Sequence, residues 1–218
     1  GRGHTEVATV TIIVHGENDL PQAADDSEAT TEDAPVSYDS ILVNDSDPEG
    51  DDLTVKSVEG SAGNVGSEIT LPSGVKVTLT SSGAYTFDPN GQYESLGESE
   101  TATETFVYTV TDGNGGTAEA TVTIVIDGVN DAPGMDLQPP FDVGSDEVLD
   151  ENVLSNATDA EGDVVTVVSV NGDDGSVGSE ITLPSGANVT LETDGAFSYE
   201  PAGEFESLSH GDSALDTF

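Results

Sequence analysis

The sequence predicts an all-β chain of tandem Greek-key β-sandwiches, and three observations carry that prediction. The chain repeats itself at a fixed interval, its apolar residues alternate with period two, and turn-forming segments interrupt the alternation about every 8–12 residues.

The repeat comes first. Asn64-Val65-Gly66-Ser67-Glu68-Ile69-Thr70-Leu71-Pro72-Ser73-Gly74 returns at 176–186, changed only at its first position. The offset, 176 − 64 = 112, also carries Asn18-Asp19 onto Asn130-Asp131, Leu42 onto Leu154 and Thr105-Phe106 onto Thr217-Phe218. About 40 of the 89 aligned positions are identical without an insertion, which is duplication. Thr9-Val10-Thr11-Ile12 matches Thr121-Val122-Thr123-Ile124. The expected organisation is therefore the last strand of a preceding repeat over 1–17, a complete sandwich over 18–129, and a second repeat over 130–218 that lacks its last two strands.

The strands follow from patterning. Val75, Val77 and Leu79 alternate with Lys76, Thr78 and Thr80, and Phe106, Tyr108 and Val110 alternate with Val107, Thr109 and Thr111. Val122, Ile124 and Ile126 show the same period. Threonine on the outer positions means antiparallel strands buried on one face. Pro72-Ser73-Gly74, Ser81-Ser82-Gly83 and Asp112-Gly113-Asn114-Gly115-Gly116 are turns. Residues 92–96 make at most one helical turn. About seven strands per repeat read as a cadherin- or immunoglobulin-like sandwich.

Composition narrows the function. Three Lys and Arg face 44 Asp and Glu, a net charge of −41. That excludes nucleic-acid backbones and anionic membranes as partners, and it opposes compaction unless cations relieve the repulsion; without a long apolar run, no direct membrane insertion is expected. With no Cys there are no disulfides, so metal is the expected substitute staple.

The sharpest chemical motif is Asn44-Asp45-Ser46-Asp47-Pro48-Glu49-Gly50-Asp51. Carboxylates at alternate positions, with a Gly for a tight turn, suit a hard cation that takes many oxygens. It imitates the opening of an EF-hand loop, but the twelfth position is Lys56 and strands flank it, so it is not one. An acidic turn without metal is the plainer reading of the same residues. The second copy has Ala157 in place of Asp45 and keeps Asp159, Glu161 and Asp163. Two linkers, Glu17-Asn18-Asp19-Leu20-Pro21 and Asp127-Gly128-Val129-Asn130-Asp131-Ala132-Pro133, set Asn and Asp oxygens just before a stiffening Pro.

Asn44-Asp45-Ser46-Asp47 with Gly50-Asp51, the run from Phe106 through Asp112 to Gly116, and Gly128-Val129-Asn130-Asp131-Ala132-Pro133 together resemble the VCBS repeat, a bacterial cadherin-like module of large surface adhesins. The resemblance covers nearly the whole chain. It implies a cadherin-like sandwich, secretion to the bacterial cell surface, and Ca2+ at domain junctions. Residue by residue, Glu32 matches the family's early-strand Glu, and Asp45 and Asp47 match its Asp-x-Asp. Glu98 and Glu100 loosely echo its Leu-Asp-Arg-Glu segment, and Asn130-Asp131 match a shortened linker. Asp112 and Asp127, inside the second motif and the linker, join them as candidate calcium ligands. Gly144 stands opposite Glu32 and Ala157 opposite Asp45, so the first junction, Asn18 and Asp19 with Asp45 and Asp47, is the better furnished.

Nothing points to an enzyme. With 44 carboxylates, paired acids arise by chance, and His4, His15 and His210 do not recur across the repeat. No nucleophile elbow, phosphate loop or zinc signature is present. Lys56 and Lys76 could form isopeptide cross-links, but their counterparts are Val168 and Asn188. The expected function is a calcium-rigidified extender of a long extracellular repeat protein, promoting adhesion or biofilm attachment. Its partners would be neighbouring repeats, with glycans or another cell surface beyond them. The alternatives are a calcium-dependent carbohydrate-binding module and a filament subunit that exchanges strands. Tyr85, Phe87 and Tyr93 are the aromatic candidates for glycan contact, although their counterparts Phe197, Tyr199 and Phe205 are aromatic too, which favours core packing.

Overall fold

Alternation of apolar residues and threonine becomes eight strands over residues 26–127. The computed structural model describes residues 2–3, 6–136, 138–201, 203 and 205–218. It divides into unit 1, Gly1–Tyr93 with Glu98–Val129, and unit 2, Glu94–Gly97 with Asn130–Phe218.

Unit 1 contains β1 (Asp26–Thr31), β2 (Val36–Ser40), β3 (Thr54–Val58), β4 (Glu68–Thr70), β5 (Lys76–Leu79), β6 (Ala84–Asp88), β7 (Thr101–Thr111) and β8 (Thr117–Asp127). They form two sheets, ordered β1-β8-β7-β3 and β2-β6-β5-β4. The chain changes sheet after β1, β2, β3 and β6, a Greek-key path. β1 runs parallel to β8; the remaining pairs are antiparallel. The core is what the period predicts: Val77 and Leu79 of β5, Tyr85 and Phe87 of β6, Phe106, Tyr108 and Val110 of β7, and Val122, Ile124 and Ile126 of β8 are all buried. Residues 6–20, where the sequence suggests a strand at 9–12, form no ladder among the described residues; β7, the strand that their counterpart β8 joins, is already flanked by β8 and β3.

Between β2 and β3 the chain makes a 3-10 turn, Ile41–Asn44, that drops Ile41 into the core. Ser40 Oγ accepts the Leu42 N–H at 3.2 Å and donates to Ser82 O at 2.8 Å. Gly83, at φ +89°, lies beneath this corner: a Cβ there would collide with Ser40 Oγ and come within 2.9 Å of Leu42 Cγ. The corner recurs 112 residues on with different chemistry. Asn152 Oδ1 accepts the Leu154 N–H at 2.7 Å, and its Nδ2 donates to Asp194 O at 3.0 Å, above Gly195 at φ +83°.

Unit 2 contains β9 (Gly134–Met135), β10 (Leu149–Asn152), β11 (Ala157–Thr158), β12 (Ile181–Thr182), β13 (Asn188–Leu191) and β14 (Ala196–Glu200). The sheet β10-β14-β13-β12 is the counterpart of β2-β6-β5-β4. Its core gathers Leu183, Ala187, Val189, Leu191, Phe197 and Tyr199. No counterpart of the β1-β8-β7-β3 sheet forms among the described residues. In unit 1 β1 pairs with β8 and β3 with β7; residues 166–169, the counterpart of most of β3, join no ladder among the described residues.

Candidate metal centre

The β7–β8 hairpin sorts the predicted ligands by height. Thr111 pairs with Thr117 at its turn end and Thr101 with Asp127 at its open end, about 34 Å away along the strand. The loop 45–51, Asp112 and the linker residues Asn18 and Asp19 gather at the turn end. Glu32, Glu98, Glu100 and Asp127 belong to the open end. There Glu32, at the end of β1, is buried, and its Oε1 accepts the Val129 N–H at 2.8 Å. The Gly128 N–H bonds Glu100 O at 2.9 Å, and Glu98 is exposed.

At the turn end, Asp47 organises the loop. Its Oδ1 accepts the N–H groups of Glu49 (2.9 Å) and Asp51 (3.2 Å), while its C=O accepts from Gly50 N at 3.1 Å. Gly50 takes φ +78°, the left-handed turn the motif requires. The other carboxylate oxygen, Asp47 Oδ2, is buried and accepts no hydrogen bond. An ionised oxygen in that position lacks the partner that buried charge requires.

The linker is tied to this loop. Glu49 Oε2 accepts the Asp19 N–H at 3.1 Å, and Gln22 and Ser46 exchange two backbone bonds, of 2.7 and 2.9 Å. Asn18 Nδ2 donates to Asp112 Oδ2 at 2.8 Å. Asp112 is itself buried and staples the turn after β7: Oδ1 accepts from Asn114 N, Gly115 N and Gly116 N at 2.7–3.0 Å. The Asn18 amide, followed by these backbone donors, holds its carboxyl below the usual range. Both its oxygens are therefore already committed to the turn and the linker. Asp51 Oδ2 accepts from Asn114 Nδ2 at 2.7 Å, joining the loop to the same turn.

Asp45 faces inward instead. Its Oδ1 accepts the Ala24 N–H at 2.8 Å, and the buried Tyr108 hydroxyl donates between Asp45 Oδ2 (3.2 Å) and Asp26 Oδ2 (3.0 Å). Burial pushes both carboxyls above their ordinary value, and the Asp45 charge pushes Asp26 further. Burial and the two carboxylates push the Tyr108 phenol up as well. Sequence reasoning missed Asp26 and Tyr108 as members of this group. Asp26 is replaced by Gln138 in the second copy, and Tyr108 looks like any other inward residue of β7.

Unit 2 repeats the tie. Asp131 N donates to Glu161 Oε1 at 3.1 Å, matching Asp19 and Glu49. Asp159 Oδ1 accepts the Asp163 N–H at 2.9 Å, and Thr158 pairs with Gly134 as Ser46 does with Gln22. Asn130 Nδ2 turns onto Asp131 O at 2.7 Å. Here the buried carboxylate oxygen that accepts no bond is Glu161 Oε2. Among the described residues, no three His, Cys, Asp or Glu side chains stand close enough together to hold a metal ion as they are placed.

The aromatic residues weighed for glycan contact lie in or against the cores. Tyr85, Phe87, Phe197 and Tyr199 are buried, and Phe205 packs on the core of unit 2. Tyr93 is half-buried with its hydroxyl on Glu104. His4 lies outside the described residues.

Fold and loops define a class of protein: tandem Greek-key sandwich modules whose acidic loops are bound to the linkers between them. The chain belongs to the bacterial cadherin-like domain family, whose model matches residues 18–128; the model of the bacterial Ig domain matches 130–218. Domains of both kinds are typically non-enzymatic structural repeat modules of surface or extracellular proteins. No helix of the described residues is long and apolar enough to cross a membrane. No curated protein matches. Among solved structures, a nucleoside hydrolase-related hypothetical protein from Saccharophagus degradans is 20% identical with a TM-score of 0.31, over 51% of this chain and 26% of its own. An endo-fucoidan hydrolase of glycoside hydrolase family 107 is 16% identical with a TM-score of 0.27, over 84% of this chain and 29% of its own. The chain thus spans less than a third of either, and neither likeness carries an argument about activity.

Proposed function

We propose that this chain is an extender segment of a long secreted or cell-surface repeat protein, made rigid by calcium, and that it serves adhesion or matrix attachment. The observation that carries the reading is the buried, unbonded Oδ2 of Asp47, in a loop whose next carboxylate, Glu49, grips the linker. The donors are all hard oxygens, which suits Ca2+ and disfavours softer metals. Asp47 would hold the ion, with Asn18, Asp19, Glu49 and Asp51 supplying further oxygens. In unit 2 the corresponding set is Asn130, Asp131, Asp159, Glu161 and Asp163. When bound, the ion would cancel part of the −41 charge and lock linker to loop.

Calcium titration of the metal-free chain, followed by thermal unfolding, tests this. At free calcium 100-fold above its dissociation constant, linkage adds about 2.7 kcal/mol. A melt identical in calcium and in excess EGTA would rule the reading out.

A further inference from the structure

The turn after β7 reaches the acidic loop through one side chain: Asn114 Nδ2 donates to Asp51 Oδ2 at 2.7 Å. The turn itself is held without that amide, because Asp112 Oδ1 accepts the backbone N–H groups of Asn114, Gly115 and Gly116. Asn114 is exposed, and its backbone lies outside the left-handed region that often explains an asparagine in a turn. The amide therefore serves neither the hydrogen bonds of the turn nor its backbone conformation. What it does is hold Asp51.

Asp51 stands beside the oxygen that lacks a partner. Its N–H lies on Asp47 Oδ1 at 3.2 Å, and Asp47 Oδ2 is buried without a hydrogen bond. Yet among the described residues no three acidic side chains stand close enough together to hold an ion as they are placed. Two bonds engage the carboxylates nearest to Asp47 in the chain. The Asp19 N–H on Glu49 Oε2 is the linker tie itself. The Asn114 amide on Asp51 Oδ2 joins two side chains in water, where solvent can replace the amide at little cost.

We propose that the Asn114 amide is a latch that calcium displaces: Asp51 leaves Asn114 to join Asp47 at the ion, and the latch sets how much calcium the loop needs. This rests on the calcium reading above and names what regulates that site. The opposite role, an amide that orients Asp51 for the ion, would make its loss weaken binding. The placement favours the latch, since with the amide on Asp51 the carboxylates are not gathered. A bond made only in the metal-free chain subtracts from affinity for the ion, so removing it strengthens binding. For an exposed bond to a carboxylate the gain is about three- to tenfold.

Calcium titration of the full chain, followed by NMR, tests the latch. The backbone amide signals of Gly50 and of Gly162, its counterpart 112 residues on, report the two acidic loops separately. Asn114→Ala keeps the backbone bonds of the turn. It should move the Gly50 midpoint to about three- to tenfold lower calcium and leave the Gly162 midpoint where it was. In the unsubstituted chain the Asn114 side-chain NH2 signals should shift over the same calcium range as Gly50. In an Asp51→Ala background, adding Asn114→Ala should leave the Gly50 midpoint unchanged. A Gly50 midpoint that stays or rises in Asn114→Ala, an equal shift at Gly162, or a shift that persists without Asp51 would each overturn the latch while the calcium reading stands. No calcium response at Gly50 in the unsubstituted chain would overturn both.

Discussion

Phe106 meets Tyr85 edge-on, ring centroids 5.7 Å apart and planes at 68°, and one repeat later Phe218 meets Phe197 at 5.6 Å and 61°. In both units this contact joins the first half of the β7 segment to the sheet behind it. In unit 1 the pair is sealed by β8 and Phe106 is fully buried; in unit 2 Phe218 stays partly exposed. Phe106→Ala should cost about 3–5 kcal/mol of unit 1 stability. Phe218→Ala should cost unit 2 about 1–2 kcal/mol, because less area leaves water there. Urea unfolding monitored separately for each unit checks the inequality.

Gly83→Ala and Gly113→Ala separate backbone strain from crowding. Both glycines have φ near +80° to +90°, but Gly113 faces open space while Gly83 lies under Ser40 and Leu42. Gly113→Ala should lose about 1 kcal/mol from the left-handed backbone alone. Gly83→Ala should lose that and about 1–3 kcal/mol more for the displaced corner. Equal losses in denaturant unfolding would mean the corner yields without cost.

Asp47→Asn and Asp112→Asn distinguish metal ligation from turn stapling. Asparagine at 47 keeps an Oδ1 acceptor for Glu49 and Asp51 and removes the charge from the buried second oxygen. Its metal-free melting temperature should not fall, while the gain from calcium should shrink. Asparagine at 112 would turn an NH2 toward the donors of Asn18 or Gly116. It should lose about 1–3 kcal/mol with and without calcium.

The response to acid follows from the signs of the shifts. Asp26 and Asp45 have folded values raised above 3.8, so the folded state takes protons first. In metal-free protein, their cost to stability is relieved as pH falls from neutral through those raised values toward 3.8. Asp112, lowered by Asn18 and the turn N–H groups, works the other way: its contribution is full above 3.8 and is lost as pH falls through its depressed value. Melting temperature in EGTA should therefore rise on mild acidification and then drop. Asp26→Asn should flatten the rise.

How much was legible in the sequence depends on the range of the interaction. Period two and the 112-residue offset identify the inward faces of β5, β7 and β8 and the repeat itself, because those patterns come from local strand geometry and duplication. The loop at 45–51 and the linker motifs are legible as acidic turns for the same reason. The Asn152 corner shows where reading by identity stops: asparagine reproduces the bonds of Ser40, a conservation of geometry that residue letters conceal.

Only the tertiary structure decided which carboxylates share a place. Glu32 and Asp45 lie 13 residues apart in the chain, yet β1 and the sheet crossings put them at opposite ends of unit 1. Asp112 and Asn18, 94 residues apart, are in hydrogen-bond contact. The Asp26–Tyr108–Asp45 group likewise depends on strand order. The sequence by itself determined strands, turns, repeat and charge, since each rests on neighbours within a few residues. Strand pairing decided the sites, because residues far apart in the chain meet only where strand order and register bring their loops together.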